Sequence, residues 1–254
     1  MSEGKTKSSA SSVLRAVFFD IDGTFFSTKE FAERARTAAI DAMIRTGVRL
    51  TPEELAQELN EVIREFSSNY DGHFDKLLLR IPRRVYKGIN PAMIVAAGVV
   101  AYHETKFRYL EPYEDAFEVL RRLARTDLVR GIITEGLEIK QAEKLIRLRL
   151  DSFLTRQAIF ISHQLGISKT NVKLYQRACS DLNLKPSECM YVGDNPLTDI
   201  DPPNKIGMIT VRMRREGRYQ DLEGETAPDY DIQNFWDLLE ILREKHGVKV
   251  PEEI

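Results

Sequence analysis

Cysteine is scarce in this chain: Cys179 and Cys189 are the only two in 254 residues. That is too few for a disulfide framework or a thiolate metal site, and it fits packed, reduced thiols in a cytoplasmic setting. An excess of one charge sign is also missing. The 37 Lys and Arg stand against 39 Asp and Glu, a formal net charge of −2, which gives no support to a nucleic-acid or membrane-surface partner. Long hydrophobic runs are lacking. The longest, "AMIVAAGVVAY" (92–102), is too short to span a bilayer and reads as part of a buried helix. The opening "MSEGKTKSSASS" lacks the apolar stretch of a signal peptide and reads as a disordered tail, residues 1–12. What remains, 43% hydrophobic and 30% charged, is an ordinary globular composition long enough for a large core with an insertion.

Two textures divide that remainder. From Thr28 to Tyr109 the periodicity is helical. Phe31, Ala35, Ala38, Ala42 and Ile44 mark a first helix ending at Gly47. Thr51, Pro52 and Glu54 open a second as N-cap, first-turn proline and capping-box acid. A third covers Phe74 to Leu79, and Asn90-Pro91 starts a fourth. From Pro112 onward, apolar runs at 128–134, 157–161, 189–193 and 207–213 alternate with amphipathic stretches, the pattern of a parallel sheet covered on both faces. The run Leu14–Phe19 belongs to that sheet. The expectation is an α/β core from 13–24 and 110–254, interrupted by a helical bundle at 25–109, with hinges near Phe25–Ser27 and Phe107–Pro112.

In such sheets ligands bind beyond the carboxyl ends of the strands. There the chain places Asp20 and Asp22, then Thr134, then Lys169, then Asp194 and Asp199. Clustered carboxylates need a cation, and an all-oxygen set suits Mg²⁺. With the metal and Lys169 present, the rim can hold a dianionic phosphoryl group. Asp20 can attack phosphorus, and Asp22 can protonate the departing oxygen and then deprotonate a water. Two acids one residue apart at the mouth of a buried strand thereby acquire a reason.

"DIDGT", Thr134 in "GIITEG", Lys169 in "SKTNVKLY" and "GDNPLTD" resemble, in order, the four motifs of the haloacid dehalogenase-like superfamily. The inserted helices stand where one class of that superfamily carries a cap, and "SNYDGHFD" and "AYHETKFRYLEPY" are similar to archaeal phosphatase-like members. The resemblance implies a Rossmann-like core and a Mg²⁺-dependent phosphatase acting on a small phosphorylated metabolite, with triose phosphate suggested by the archaeal group. It implies Asp20 as nucleophile and Asp22 as general acid/base. Thr134 and Lys169 would hold phosphoryl oxygens. Asp20, the Asp22 carbonyl and Asp194 would bind the metal, and Asp199 would ligate through water or orient Lys169. A phosphomutase shares the motifs; a phospho-acceptor signalling domain shares the acid cluster but lacks the second Asp and the insertion.

Departures from the pattern leave points open. Glu135 stands where the family often has Asp or Asn, and Thr170 follows Lys169 in place of proline, so Lys173 competes for the lysine role. Asn69, Tyr70, His73 and Asp75 form a polar-aromatic cluster that either contacts substrate or is plain loop. Asp201 reads as a turn residue, His163 and His246 as surface positions, and Arg212, Arg214, Arg215 and Arg218 as a solvated basic loop.

Overall fold

A computed structural model describes residues 13–66, 70–215, 217 and 219–252. The proposed tail, together with Asn69 and Arg218, lies outside the described residues. The chain divides into two compact units, one holding the residues up to Ser27 with those from Glu111 onward, the other Thr28–Leu110.

The first unit is built on a six-stranded, all-parallel sheet in the order β3-β2-β1-β4-β5-β6. Its strands are β1 Ala16–Phe19, β2 Val129–Thr134, β3 Ile159–Ile161, β4 Cys189–Gly193, β5 Ile209–Met213 and β6 Tyr230–Ile232. β1 is central, and all four of its residues are buried. Alternation sends Ala16 and Phe18 into one core layer with Tyr175, Ala178 and Cys179 of a covering helix (Val172–Asp181). On the other face Phe19 stacks on Phe235 (6.0 Å between centroids) from the helix Phe235–Glu244. Strand neighbours are matched in size. Phe18 pairs with Gly131 on β2, where a Cβ would lie 2.4 Å from the Phe18 ring. Each such buried aromatic contributes about 1.5–3 kcal/mol relative to exposure.

The second unit packs α1 Thr28–Arg45, α2 Pro52–Phe66, α3 His73–Arg80 and α4 Pro91–Tyr109 around Ala39, Met43, Leu55, Leu59, Phe74, Leu77 and Ile94. The caps expected from sequence form. Thr51 and Glu54 exchange hydrogen bonds at 2.8 and 3.2 Å, and Asn90 Oδ1 accepts from Ala92 N at 3.0 Å. Gly98 lets α4 approach α1, since a Cβ there would meet Met43 at 3.1 Å. The apolar run at 92–102 is not buried all round, however. Ile94 and Gly98 face the core, whereas Met93 and Val100 are exposed. Among the described residues no helix is long and apolar enough to cross a membrane.

In the first unit, α5 Glu114–Leu123, α6 Glu138–Arg147, α7 Ser162–Leu165, α8 Val172–Asp181, α9 Asp201–Ile206 and α10 Phe235–Glu244 complete the chain. Two of the strands and α-helices named above escaped the sequence reading. β6 is a three-residue edge strand, too short to show an apolar run. α7 is a single turn closed by Gly166 at φ 64°. The basic run is not a solvated loop either. Arg212 is buried at the end of β5, where it bonds Glu223 (3.0 Å) and the carbonyl of Tyr219 (3.1 Å), because the chain after β5 folds back over its guanidinium. Arg214 pairs with Asp231 at 2.6 Å, and Arg215 lies 3.9 Å over the Tyr113 ring and pairs with Asp115. His246 also departs from its expected surface position. Its ring meets Tyr230 edge-on at 5.9 Å, Nε2 is buried without a hydrogen-bond partner among the described residues, and burial lowers its pKa. His163 is exposed, and Asp201 begins α9, accepting from the backbone N–H groups of Glu225 (2.9 Å) and Thr226 (2.8 Å).

Candidate active site

Parallel strands end in one direction, so their following loops share a rim. Asp20 comes directly after β1, and its backbone N–H donates to Val192 O of β4 at 2.9 Å. Thr134 is the last residue of β2, and Asp194 follows β4. Lys169 enters from the turn before α8.

Lys169 is the hub. Its ammonium lies 2.6 Å from Asp20 Oδ1 and 2.7 Å from Asp199 Oδ1, with the Tyr191 ring beneath it at 5.4 Å. Asp199 is itself fixed. Asn195 N donates to its Oδ2 and Thr198 Oγ1 to its Oδ1, both at 3.0 Å, and Tyr175 Oη secures that turn by donating to Thr198 O at 2.5 Å. Lys173 is exposed on α8, so of the two candidate lysines only Lys169 is brought to the acids.

Asp20, Asp194 and Asp199 each present a carboxylate oxygen, and the three oxygens lie within 4.8 Å of one another. Two glycines make this crowding possible. A Cβ on Gly23, which sits at φ 79°, would lie 2.1 Å from Asp194 Oδ2, and one on Gly193 would lie 2.2 Å from Asp199 Oδ2. The letters "DGT" and "GD" thus record space reserved for carboxylates.

The electrostatics show what is missing from the protein's own charges. Burial lifts the Asp20 carboxyl to about 6 against the pull of Lys169, with Asp199 and Asp22 adding to the rise. Asp194 is pushed up to about 8 by burial and then by Asp199 and Asp20. Burial alone would depress Lys169, but Asp199 and Asp20 outweigh it and hold its pKa well above the usual ammonium range. One ammonium leaves three converging carboxylates under-compensated. An all-oxygen donor set of this kind fits a hard divalent cation such as Mg²⁺.

The Asp22 side chain takes another direction. Lys144 Nζ of α6 lies 2.7 Å from its Oδ1 and 2.5 Å from its Oδ2, and Gln141 Nε2 lies 3.4 Å from Oδ2. Gln141 Oε1 also accepts from Thr134 Oγ1 at 3.5 Å. Glu135 braces the Lys169 turn: Oε2 accepts from Lys169 N at 2.5 Å and Oε1 from Ser162 Oγ at 3.0 Å. The sequence reading flagged Glu135 only as a departure and missed Gln141 and Lys144. Nothing in the sequence singled them out, since α6 carries polar residues at the same spacing on its exposed side as well. In the second unit Tyr70 stacks on Phe66 (5.2 Å between centroids) and meets His73 edge-on at 5.5 Å, while Asp75 is exposed.

The family model of haloacid dehalogenase-like hydrolases matches residues 14–207. A glyceraldehyde 3-phosphate phosphatase of Methanopyrus kandleri is 44% identical over 91% of this chain and 98% of its own length. The enzyme of the same name from Pyrococcus furiosus is 41% identical over 92% of this chain and 95% of its own. Among solved structures, a HAD phosphatase from Thermococcus onnurineus superposes with a TM-score of 0.64 at 23% identity, covering 90% of this chain and 98% of that one. An L-2-haloacid dehalogenase from Xanthobacter autotrophicus shares the fold at a TM-score of 0.59 and 18% identity, covering 91% of this chain and 99% of that one. The matched motifs, the parallel sheet and the extent of these similarities establish that the chain belongs to the haloacid dehalogenase-like hydrolases.

Proposed function

We propose that this protein is a Mg²⁺-dependent phosphatase that hydrolyses a small phosphorylated metabolite, with glyceraldehyde 3-phosphate as the favoured substrate. The observation that carries the reading is the convergence of Asp20, Lys169, Asp194 and Asp199 at one strand-end site. The substrate choice is supported by relatives named for that activity at 44% and 41% identity.

Asp20 is the nucleophile. One carboxylate oxygen attacks phosphorus, the bond to the ester oxygen breaks, and Asp22 delivers a proton to the departing alkoxide. Asp22, now a carboxylate, takes a proton from water as that water attacks the aspartyl phosphate. Inorganic phosphate leaves and Asp20 returns to its starting form. Lys169 and Thr134 bind the non-transferring oxygens, and Asp199 orients Lys169. Asp20, the Asp22 carbonyl and Asp194 would hold Mg²⁺, which would screen the repulsion between carboxylate and phosphate. The helical unit Thr28–Leu110 is assigned the role of the family's cap, and Tyr70 and His73 within it are the candidate substrate contacts. A cytoplasmic setting is part of the proposal and is supported by the scarcity of cysteine, two residues in the whole sequence.

The test is phosphate release from glyceraldehyde 3-phosphate and other phosphorylated metabolites, with Mg²⁺ and with a chelator. Asp20→Asn is expected to cut turnover by at least roughly a thousand-fold while the fold is retained. Full activity in that variant removes the nucleophile assignment.

A further inference from the structure

We propose that Lys144, braced by Gln141, is the positioning residue for the Asp22 side chain: it grips both oxygens of the carboxylate form and, in the acid form, keeps its bond to one oxygen while the other carries the proton to the leaving-group oxygen. The inference rests on the phosphatase reading above and concerns a residue to which the four motifs assign nothing. Asp22 stands in the turn that follows β1. There Thr24 N and Phe25 N share the carbonyl of Ile21 at 3.4 and 3.1 Å, and the carboxylate has rotational freedom unless something outside the turn holds it. α6 supplies that hold. The Lys144 ammonium bonds both carboxylate oxygens, and its own side chain is only 15% exposed.

Gln141 makes the arrangement rigid and ties it to the phosphoryl-binding end. Its side chain is buried, with Nε2 donating to Glu135 O at 3.0 Å and reaching Asp22 Oδ2, and with Oε1 accepting from Lys144 Nζ at 3.4 Å and from Thr134 Oγ1. A Cβ on Gly136, the residue that lets the chain turn from β2 toward α6, would lie 2.5 Å from Gln141 Nε2, so the amide fills the space beside that turn. Thr134, which contacts phosphoryl oxygens, and Asp22, which contacts the ester oxygen, are thus registered against one another through a single helix. The reacting groups must be held to within a fraction of an ångström for proton transfer to keep pace with bond cleavage.

A positioning role predicts a dependence on the leaving group. An alkoxide needs the Asp22 proton as it departs; 4-nitrophenolate does not. Lys144→Met is therefore expected to lower kcat/KM for an alkyl phosphate at least about ten-fold more than for 4-nitrophenyl phosphate, within the range attributable to general acid catalysis. Lys144→Arg, which keeps a two-pronged contact with a carboxylate, is expected to restore most of the difference. The double variant with Asp22→Asn should show no loss beyond that of Asp22→Asn alone, because the lysine acts only through that side chain. Equal losses on both substrates, or additive losses in the double variant, overturn the proposal. If Lys144→Met fails to fold, Lys144→Gln takes its place: it is expected to show the same selective loss on the alkyl phosphate, and Lys144→Arg again to restore most of it. A failure of Asp20→Asn to abolish turnover would instead count against the phosphatase reading, so the two outcomes are separable.

Discussion

Asp20 and Asp194 carry the electrostatic signature of the site, with pKa values lifted to about 6 and about 8 chiefly by burial. A carboxyl whose pKa is higher in the folded state than in the unfolded chain binds its proton more tightly when folded. Its contribution to stability is therefore complete below the ordinary carboxylate range and is lost as the pH rises through the folded-state value. In metal-free protein this loss runs from roughly pH 4 to 8. A divalent cation competes with those protons and offsets the repulsion once they leave. We therefore expect the increase in Tm on adding Mg²⁺ to be small at pH 5 and largest near pH 8, measured by thermal unfolding with and without the metal. An increment that does not change with pH would contradict the assignment of Asp20 and Asp194 as ligands. At this scale the motif letters were highly informative. Asp20, Thr134 and Asp194 were nameable because they stand at or just past strand ends, and Lys169 and Asp199 because they fall in the segments that follow β3 and β4. Gln141 and Lys144 were not, because a polar pair on a helix looks the same whether it faces water or a carboxylate.

β4 shows how an element, more than any single side chain, sets the spacing of the charges. Its last residue, Gly193, leaves room for the Asp199 carboxylate, and the residue beyond it is Asp194. The segment Pro196–Ile200 forms one wide helical turn of the π type, and Asn195 caps it through Leu197 N at 3.2 Å. That turn places Asp199 back beneath the strand end, where its Oδ2 also accepts from Asn195 N. Gly193→Ala is expected to push Asp199 away from Lys169, lowering turnover more than about ten-fold and costing about 1–3 kcal/mol through overpacking. Phosphate-release assays and denaturant unfolding would measure both; unchanged activity would mean that Asp199 does not need its present position. The strands of this half were legible from their apolar runs, but β6 was not. A three-residue edge strand is defined by its pairing with Val211, Arg212 and Met213, and pairing across a sheet is invisible in a local window.

At the scale of the α/β unit, the two ends of the described chain meet in the core. Phe235 of α10 stacks on Phe19 and on Phe25 (5.4 Å between centroids), although more than two hundred positions separate them in the sequence. Phe235→Ala removes the ring that covers the strand carrying Asp20 into the site, and is expected to cost about 3–5 kcal/mol in denaturant unfolding; a loss below 1 kcal/mol would show that this stack is not central to the fold. The sequence by itself determined the parallel sheet apart from its last edge strand, the helical insertion's four segments with the caps of the second and fourth, and the order in which acids, threonine and lysine arrive beyond the strands, because hydrophobic period, turn chemistry and motif spacing are local properties of the chain. Only the tertiary structure decided that Lys169 and not Lys173 meets Asp20, that Arg212 is buried under the chain that follows it, and that Asp22 is gripped by Lys144. Those pairings join residues from different elements, and which side chains face one another across a fold depends on how the elements pack, a geometry that no stretch of sequence contains alone.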